Sequence, residues 1–147
     1  MAAVTPNMPA HQSLGALDSR FVPVNDLPWQ KSRFAGIETK VLLVDPETGL
    51  LTALMRMAPG AMLPDHEHVL IEQTYVLEGS LVDTDGECRA GDFVWRPAGS
   101  RHDAWSPNGC VTLAMFQIPN RFYDTPGVIA DMSGEDWNSR WGFALPK

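Results

Sequence analysis

Four histidines stand in this sequence, His11, His66, His68 and His102, and two of them form the triplet His66-Glu67-His68 with Glu72 four residues further on. In an extended chain side chains alternate between faces, so positions 66, 68 and 72 share a face if one strand runs through them unbroken. His102 can join them from a neighbouring strand entered through the turn Pro97-Ala98-Gly99. Three imidazoles and a carboxylate suit Zn, Fe, Ni, Cu or Mn, and suit Ca or Mg poorly. On spacing alone, packed or solvated roles for these side chains stay open beside ligation. His11 lies in a stretch without any apolar period.

The elements that would position these residues are short. Val41-Leu42-Leu43-Val44 is an apolar, β-branched run, Pro46-Glu47-Thr48-Gly49 is a turn by composition, and Leu50 to Met57 is the returning strand of a hairpin. Pro59-Gly60 ends it. Gln73 to Leu77 reads as a strand and Glu78-Gly79 as a tight corner. Leu81-Val82 leads into the turn Asp83-Thr84-Asp85-Gly86, and Ala90-Gly91-Asp92 is a corner before the strand Phe93-Val94-Trp95. Pro107-Asn108-Gly109 carries a hairpin signal before a last strand, Cys110 to Ile118. Strands with turn signals every roughly 8–12 residues predict an all-β sandwich or barrel. Ser133 with Asp136 is a weak cap for a short C-terminal helical segment ending near Trp141. Residues 1–20 read as a loose arm, and residues 21–147 as one domain.

A chain of 147 residues suits a single domain. The net charge of −7 argues against nucleic acid or an anionic membrane as partner, since both require clustered Lys and Arg. Cys88 and Cys110 are too few for a disulfide framework and read as reduced, partly buried thiols. The N-terminal residues lack the pattern of a signal peptide, and no apolar run approaches the ~20 residues of a membrane span, so the expected location is the cytoplasm.

Glycines and prolines surround the histidines in a fixed order. Gly60, five residues, His66, one residue, His68, three residues, Glu72, six residues and Gly79 make one motif; Gly91, five residues, Pro97, one residue, Gly99, two residues and His102 make a second. Through these two motifs, over about residues 60–106, the sequence resembles the cupin family, with Ser106 where the family usually has Asn. The resemblance implies a small RmlC-like jelly-roll barrel. It also implies one divalent transition-metal ion on His66, His68, Glu72 and His102, Fe or Zn first and Ni or Mn next, with Glu72 a fourth ligand or a partner just beyond the ligands.

The stretches Val76 to Asp83, Ala90-Gly91-Asp92, Arg96 to Ser100 and Ser106 to Cys110 are most similar to the cupin domain of ChrR-type anti-sigma factors, a subgroup that includes stand-alone cupins similar to acetylacetone-cleaving dioxygenases. ChrR proteins carry a separate sigma-binding domain with its own zinc site. Residues 1–30 are shorter and lack those ligands, so an anti-sigma role is not expected. Two functions follow: a dioxygenase acting on a small enolisable, 1,3-dicarbonyl-like substrate, or a non-catalytic sensor that binds metal and a small ligand. A zinc-dependent isomerase or hydrolase is a further alternative.

Arg56, Trp95, Arg96 and Met115 are the candidate substrate contacts; Met55, Met57, Phe93, Trp105 and Phe116 are pocket candidates that fit an apolar barrel core better than a substrate contact. Glu67 and Asp103 have the parity that points away from the metal. A homodimer is expected through Val41 to Val44, which is apolar on both faces.

Overall fold

The computed structural model describes residues 3–117 and 119–124, and among these the regular structure is β-strand apart from two short 3₁₀ helices, Pro9–Ser13 and Val24–Asp26. The strands are β1 (Gln30–Lys31), β2 (Ile37–Asp45), β3 (Leu50–Met57), β4 (Ala61–Glu67), β5 (Glu72–Val82), β6 (Glu87–Arg89), β7 (Phe93–Arg96), β8 (Arg101–Ser106), β9 (Cys110–Phe116) and β10 (Arg121–Phe122). They form a curled antiparallel sheet in the order β1-β2-β3-β9-β5-β8-β4-β10, with β6 and β7 paired to β5. This is the expected all-β barrel. No helix among the described residues is long and apolar enough to cross a membrane.

Local chemistry accounts for the β2–β3 hairpin. The Asp45 carboxylate accepts the Glu47 N–H at 3.1 Å and the Thr48 hydroxyl at 2.8 Å, and Gly49 closes the turn at a φ of 79°. On β3 and β9 alternate residues are buried: Leu51, Ala53, Met55 and Met57 face inward from one, Cys110, Thr112, Ala114 and Phe116 from the other. Each large apolar side chain so buried contributes about 1.5–3 kcal/mol. Both cysteines are free and buried, as expected.

β5 is the strand that both walls share. Its first half pairs with β7 and β9, its second half with β6 and β8. The expected corner at Glu78-Gly79 is instead an irregularity inside this continuous strand. The register against β9 shifts between Val76 and Glu78, and Gly79 adopts a φ of 69°. Backbone passes so close here that a Cβ on Gly79 would sit 1.9 Å from the Gly109 carbonyl oxygen. Glycine bends the strand from one wall to the other without ending it.

The hairpin expected at Pro107-Asn108-Gly109 is also corrected. The chain does reverse, with Gly109 at a φ of 83°, but β8 pairs with β4 and β5 whereas β9 pairs with β3 and β5. Turn residues set the local reversal; burial of the inward faces decides which strands meet. The strand expected from Cys110 to Ile118, β9, ends at Phe116, and β10 follows it. Ile118 and the segment from Ser133 to Trp141 lie outside the described residues.

At the N-terminus, Val4 and Val44 exchange two backbone hydrogen bonds of 2.8 Å, and the Thr5 hydroxyl donates to the Leu42 carbonyl at 2.7 Å. These contacts lay residues 4–5 along β2.

Candidate metal centre

His66 and His102 face each other across the β4–β8 ladder. An irregularity between Leu63 and His66 changes the parity of β4, so both of these side chains line the interior. His68 follows the end of β4 and is clasped by the second motif: its N–H donates to the Ser100 carbonyl at 2.9 Å, and its carbonyl accepts the Gly99 N–H at 2.7 Å. Gly99 holds this contact at a φ of 84°. The expectation that one unbroken strand carries 66, 68 and 72 is overturned. The chain leaves extended pairing at Val69 to Ile71, and Glu72 opens β5. It still faces inward because it shares the buried face of β5 with Thr74 and Val76.

The three histidines are brought together, with one ligand-capable nitrogen from each lying within 4.8 Å of the others. The Nε2 atoms of His68 and His102 are 2.8 Å apart. Metal–imidazole bonds of about 2.0–2.1 Å place neighbouring ligand nitrogens about 3 Å apart, so this spacing fits an ion. Each Nδ1 faces an oxygen: His66 donates to the Pro64 carbonyl at 2.7 Å, His68 lies 3.2 Å from Glu72 Oε2, and His102 lies 3.3 Å from Asp83 Oδ2. Glu72 thus sits on the far side of the His68 ring from His102. Its Oε1 accepts the Thr74 hydroxyl at 2.9 Å and lies 3.6 Å from Arg96 Nε, while the Arg96 guanidinium also bonds Asp83.

Burial dominates the proton affinities. It pushes His66, His68 and His102 down to about 4, with the positive charge of Arg96 adding to the effect at His68 and His102. All three rings are neutral near pH 7 and have a lone pair for a metal. Burial likewise raises Glu72, against the opposing pull of Arg96 and His66. At Asp83 burial is outweighed by the backbone N–H groups of Asp85 and Gly86 and by Arg96, which hold its carboxyl below the usual range.

The depressed imidazoles make the metal-free protein acid-sensitive. Between about 4 and 6.5 the unfolded chain binds more protons than the folded one, so stability is lost as pH falls through this window, by at most about 1.4 kcal/mol per pH unit for each ring. Urea midpoints of the metal-free protein should climb from about pH 4.5 to 6.5 and level off above it. A flat series would contradict neutral, buried rings.

The interior cavity is lined by His66, Glu72, Arg96 and His102, and by apolar walls that include Phe34, Leu63 and Phe122. The space within it that water centres can reach is about 40 Å³, room for roughly three waters. A wider cleft of about 510 Å³ reaches His102 and Arg96 from the outside, beside Asp83, Phe93 and Trp95.

The other sequence candidates are scattered. Met55 and Phe116 line the cavity, and Met57 packs in the core. Trp95 and Phe93 are exposed on β7, Trp105 is half-buried on β8, and Met115 lies half-buried on the face of β9 opposite Ala114 and Phe116. Arg56 lies outside the cavity lining, paired with Glu38 and stacked on Trp29 at 4.3 Å. Glu67 is taken by Arg121 and Tyr123, at 3.0 and 2.8 Å. Asp83 was legible only as a turn residue, and nothing in its spacing distinguishes it. Phe122, whose ring centre lies 5.1 Å from that of His66, falls in a segment without strand patterning.

The sequence matches the family described as the ChrR Cupin-like domain over residues 18–120. The chain belongs to this family. Several solved structures share the cupin's fold. A proposed acetylacetone dioxygenase from Methylibium petroleiphilum is 20% identical with a TM-score of 0.70, covering 88% of this chain and 99% of its own. An acetylacetone dioxygenase from Acinetobacter johnsonii is 20% identical with a TM-score of 0.68, covering 88% and 91%. The Rhodobacter sphaeroides SigE complex with the anti-sigma factor ChrR gives 24% identity and a TM-score of 0.55, covering 63% of the cupin and 50% of that chain. A comparison with curated proteins finds no match.

Proposed function

We propose that this cupin is a metal-dependent dioxygenase for a small enolisable compound of the 1,3-dicarbonyl type. The observation that carries the reading is the convergence of His66, His68 and His102, two of which, His66 and His102, line a narrow, largely apolar cavity. His66, His68 and His102 would hold the ion, as neutral imidazoles suited to iron. Iron(II) held there would supply Lewis acidity and redox chemistry toward O₂. Phe34, Leu63 and Phe122 make the walls apolar, and the narrow space limits the substrate to a few atoms. Arg96 lines the cavity and offsets negative charge on an enolate; Trp95 borders the outer cleft. The names of two fold neighbours point to the same chemistry, and so does the family resemblance.

The test loads the protein with Fe(II) under anaerobic conditions, then follows O₂ consumption with a panel of small 1,3-dicarbonyls. Uptake well above that of free iron is the expected result. No uptake with any of them, together with tightly held zinc in the protein as isolated, would favour the non-catalytic binding module.

A homodimer belongs to this reading. Val44 is fully buried within the chain and Val41 to Leu43 are half-buried, and a more exposed apolar surface for a second copy is the outer face of β5 and β7, where Tyr75 and Phe93 are paired and Leu77 and Trp95 are exposed. Light scattering should find two chains per particle, and Trp95→Glu should shift the mass to one.

A further inference from the structure

We infer that Asn120 reads the ligand of the inner cavity, and that the cavity takes an enolisable molecule carrying a hydrogen-bond donor, an N–H or O–H, beside its dicarbonyl unit. The inference rests on the 1,3-dicarbonyl reading above and adds the group that a plain diketone lacks.

Asn120 is 6% exposed and lines the cavity, yet its Oδ1 is buried with no hydrogen-bond partner. An unpaired amide oxygen is unfavourable away from water, and folded proteins bury few of them. Five other side-chain atoms among the described residues share this state. Three of these, His68 Nδ1, His102 Nδ1 and Arg96 Nε, lie 3.2–3.6 Å from a carboxylate. His11 Nδ1 belongs to the N-terminal arm, beside a different pocket. The fifth is the Thr112 hydroxyl, which also lines the cavity.

The two orphans of the cavity differ in place and in chemistry. Thr112 stands on β9 opposite Met55 and Val76, four positions from Phe116, which pairs with Glu72. That is about 13 Å along the strand. Its hydroxyl both donates and accepts, so a single water satisfies it. Asn120 is at the histidine end. The register of β10 on β4 sets Phe122 against His66 and Arg121 against Glu67, and the Asn120 amide is near enough to His68 to raise that ring's proton affinity. Its Oδ1 only accepts, so it selects for a donor.

The segment that presents Asn120 is fastened from outside. Asn120 and Phe122 are buried while Arg121 between them is half-exposed, the alternation of an extended chain. Arg121 and the Tyr123 hydroxyl donate to Glu67 at 3.0 and 2.8 Å, and the Tyr123 N–H donates to the Asp65 carbonyl at 3.1 Å. These bonds hold the amide in the cavity wall. A ligand entering beside Oδ1 displaces the water that would solvate it. One with an N–H or O–H restores the lost bond; one with only carbonyl and methyl groups leaves the oxygen unpaired.

The experiment compares matched probes by calorimetry on the full chain, both zinc-loaded and metal-free, so that the ratio is read whether or not an ion is held. N-methylacetoacetamide and methyl acetoacetate differ by an N–H in place of an ester oxygen; 1-hydroxypentane-2,4-dione and hexane-2,4-dione differ by a hydroxyl in place of a methyl. The wild type is expected to prefer the donor in at least one pair by about tenfold or more, and the pair with the larger ratio tells N–H from O–H. Asn120→Leu, of similar size, should bring the ratio to about one, whereas Thr112→Val should leave it unchanged. Equal affinities in both pairs, tighter binding of the donor-free probes, or no binding of any probe would overturn the inference. So would a preference that survives Asn120→Leu or is lost in Thr112→Val. A preference that depends on Asn120, without O₂ uptake, would sink only the dioxygenase; O₂ uptake with plain diketones and no donor preference would sink only this inference.

Discussion

Replacing any one of His66, His68 and His102 by alanine is expected to strip the protein of its metal. Each supplies one of the three converging nitrogens, and two remaining imidazoles make a weak, mobile site. The fall in affinity should exceed about a hundredfold, beyond what loss of an outer partner causes. Elemental analysis after dialysis against a mild chelator would show it directly. His11→Ala is the control, because that ring hydrogen-bonds the Phe21 carbonyl at 2.9 Å, away from the cluster. Retention of a stoichiometric ion by a variant lacking all three would refute the assignment. Circular dichroism should meanwhile show the variants folded, since the apolar core around Val76 and Met57 is built without the ion.

Gly79→Ala should have the largest effect on stability of any Gly→Ala change among the described residues. The new Cβ would lie 1.9 Å from a backbone oxygen and 2.9 Å from its carbon, where no flexible side chain can give way, and the φ of 69° is itself unfavourable for alanine. The cost should exceed about 4 kcal/mol, in the range reserved for mutations that force backbone apart. Gly91→Ala separates the two contributions. Gly91 has a φ of 88° but nothing within 4 Å of its would-be Cβ, so only the backbone strain of about 1–2 kcal/mol applies. Denaturant unfolding of the two variants side by side gives the comparison. Equal losses would mean that β5 can move off Gly109.

The two glycines also mark what could be read before the structure. Both stand in the motifs that identified the barrel, together with the three histidines, because such positions demand one residue type: no other side chain fits Gly79, and imidazole alone combines a neutral donor with that geometry. The strand pairings were less legible. Pro107-Asn108-Gly109 announces a reversal, but whether the flanking strands meet depends on which faces are buried, a property of the whole sheet. The break before Glu72 was hidden for a similar reason, since Val69-Leu70-Ile71 is as apolar as a strand and leaves pairing only in its tertiary setting. Asp83 was hidden because its turn uses one oxygen, and the other reveals its role only when β8 brings His102 beside it. Arg56 misled because a charged residue inside a strand looks functional until its partner, Glu38 on the next strand, is seen.

The pairing of His66 with His102 across β4 and β8 has a consequence for the order of events as the chain folds. The two residues belong to different motifs and meet only after β5, β6 and β7 have been laid down between them. Closing that long loop costs entropy before any contact rewards it, so this ladder belongs among the slow, late steps of folding. A nascent or half-folded chain offers a passing ion only the adjacent His66 and His68, a poor chelate. An ion bound at this centre would therefore be selected by the finished cavity and not by the growing polypeptide.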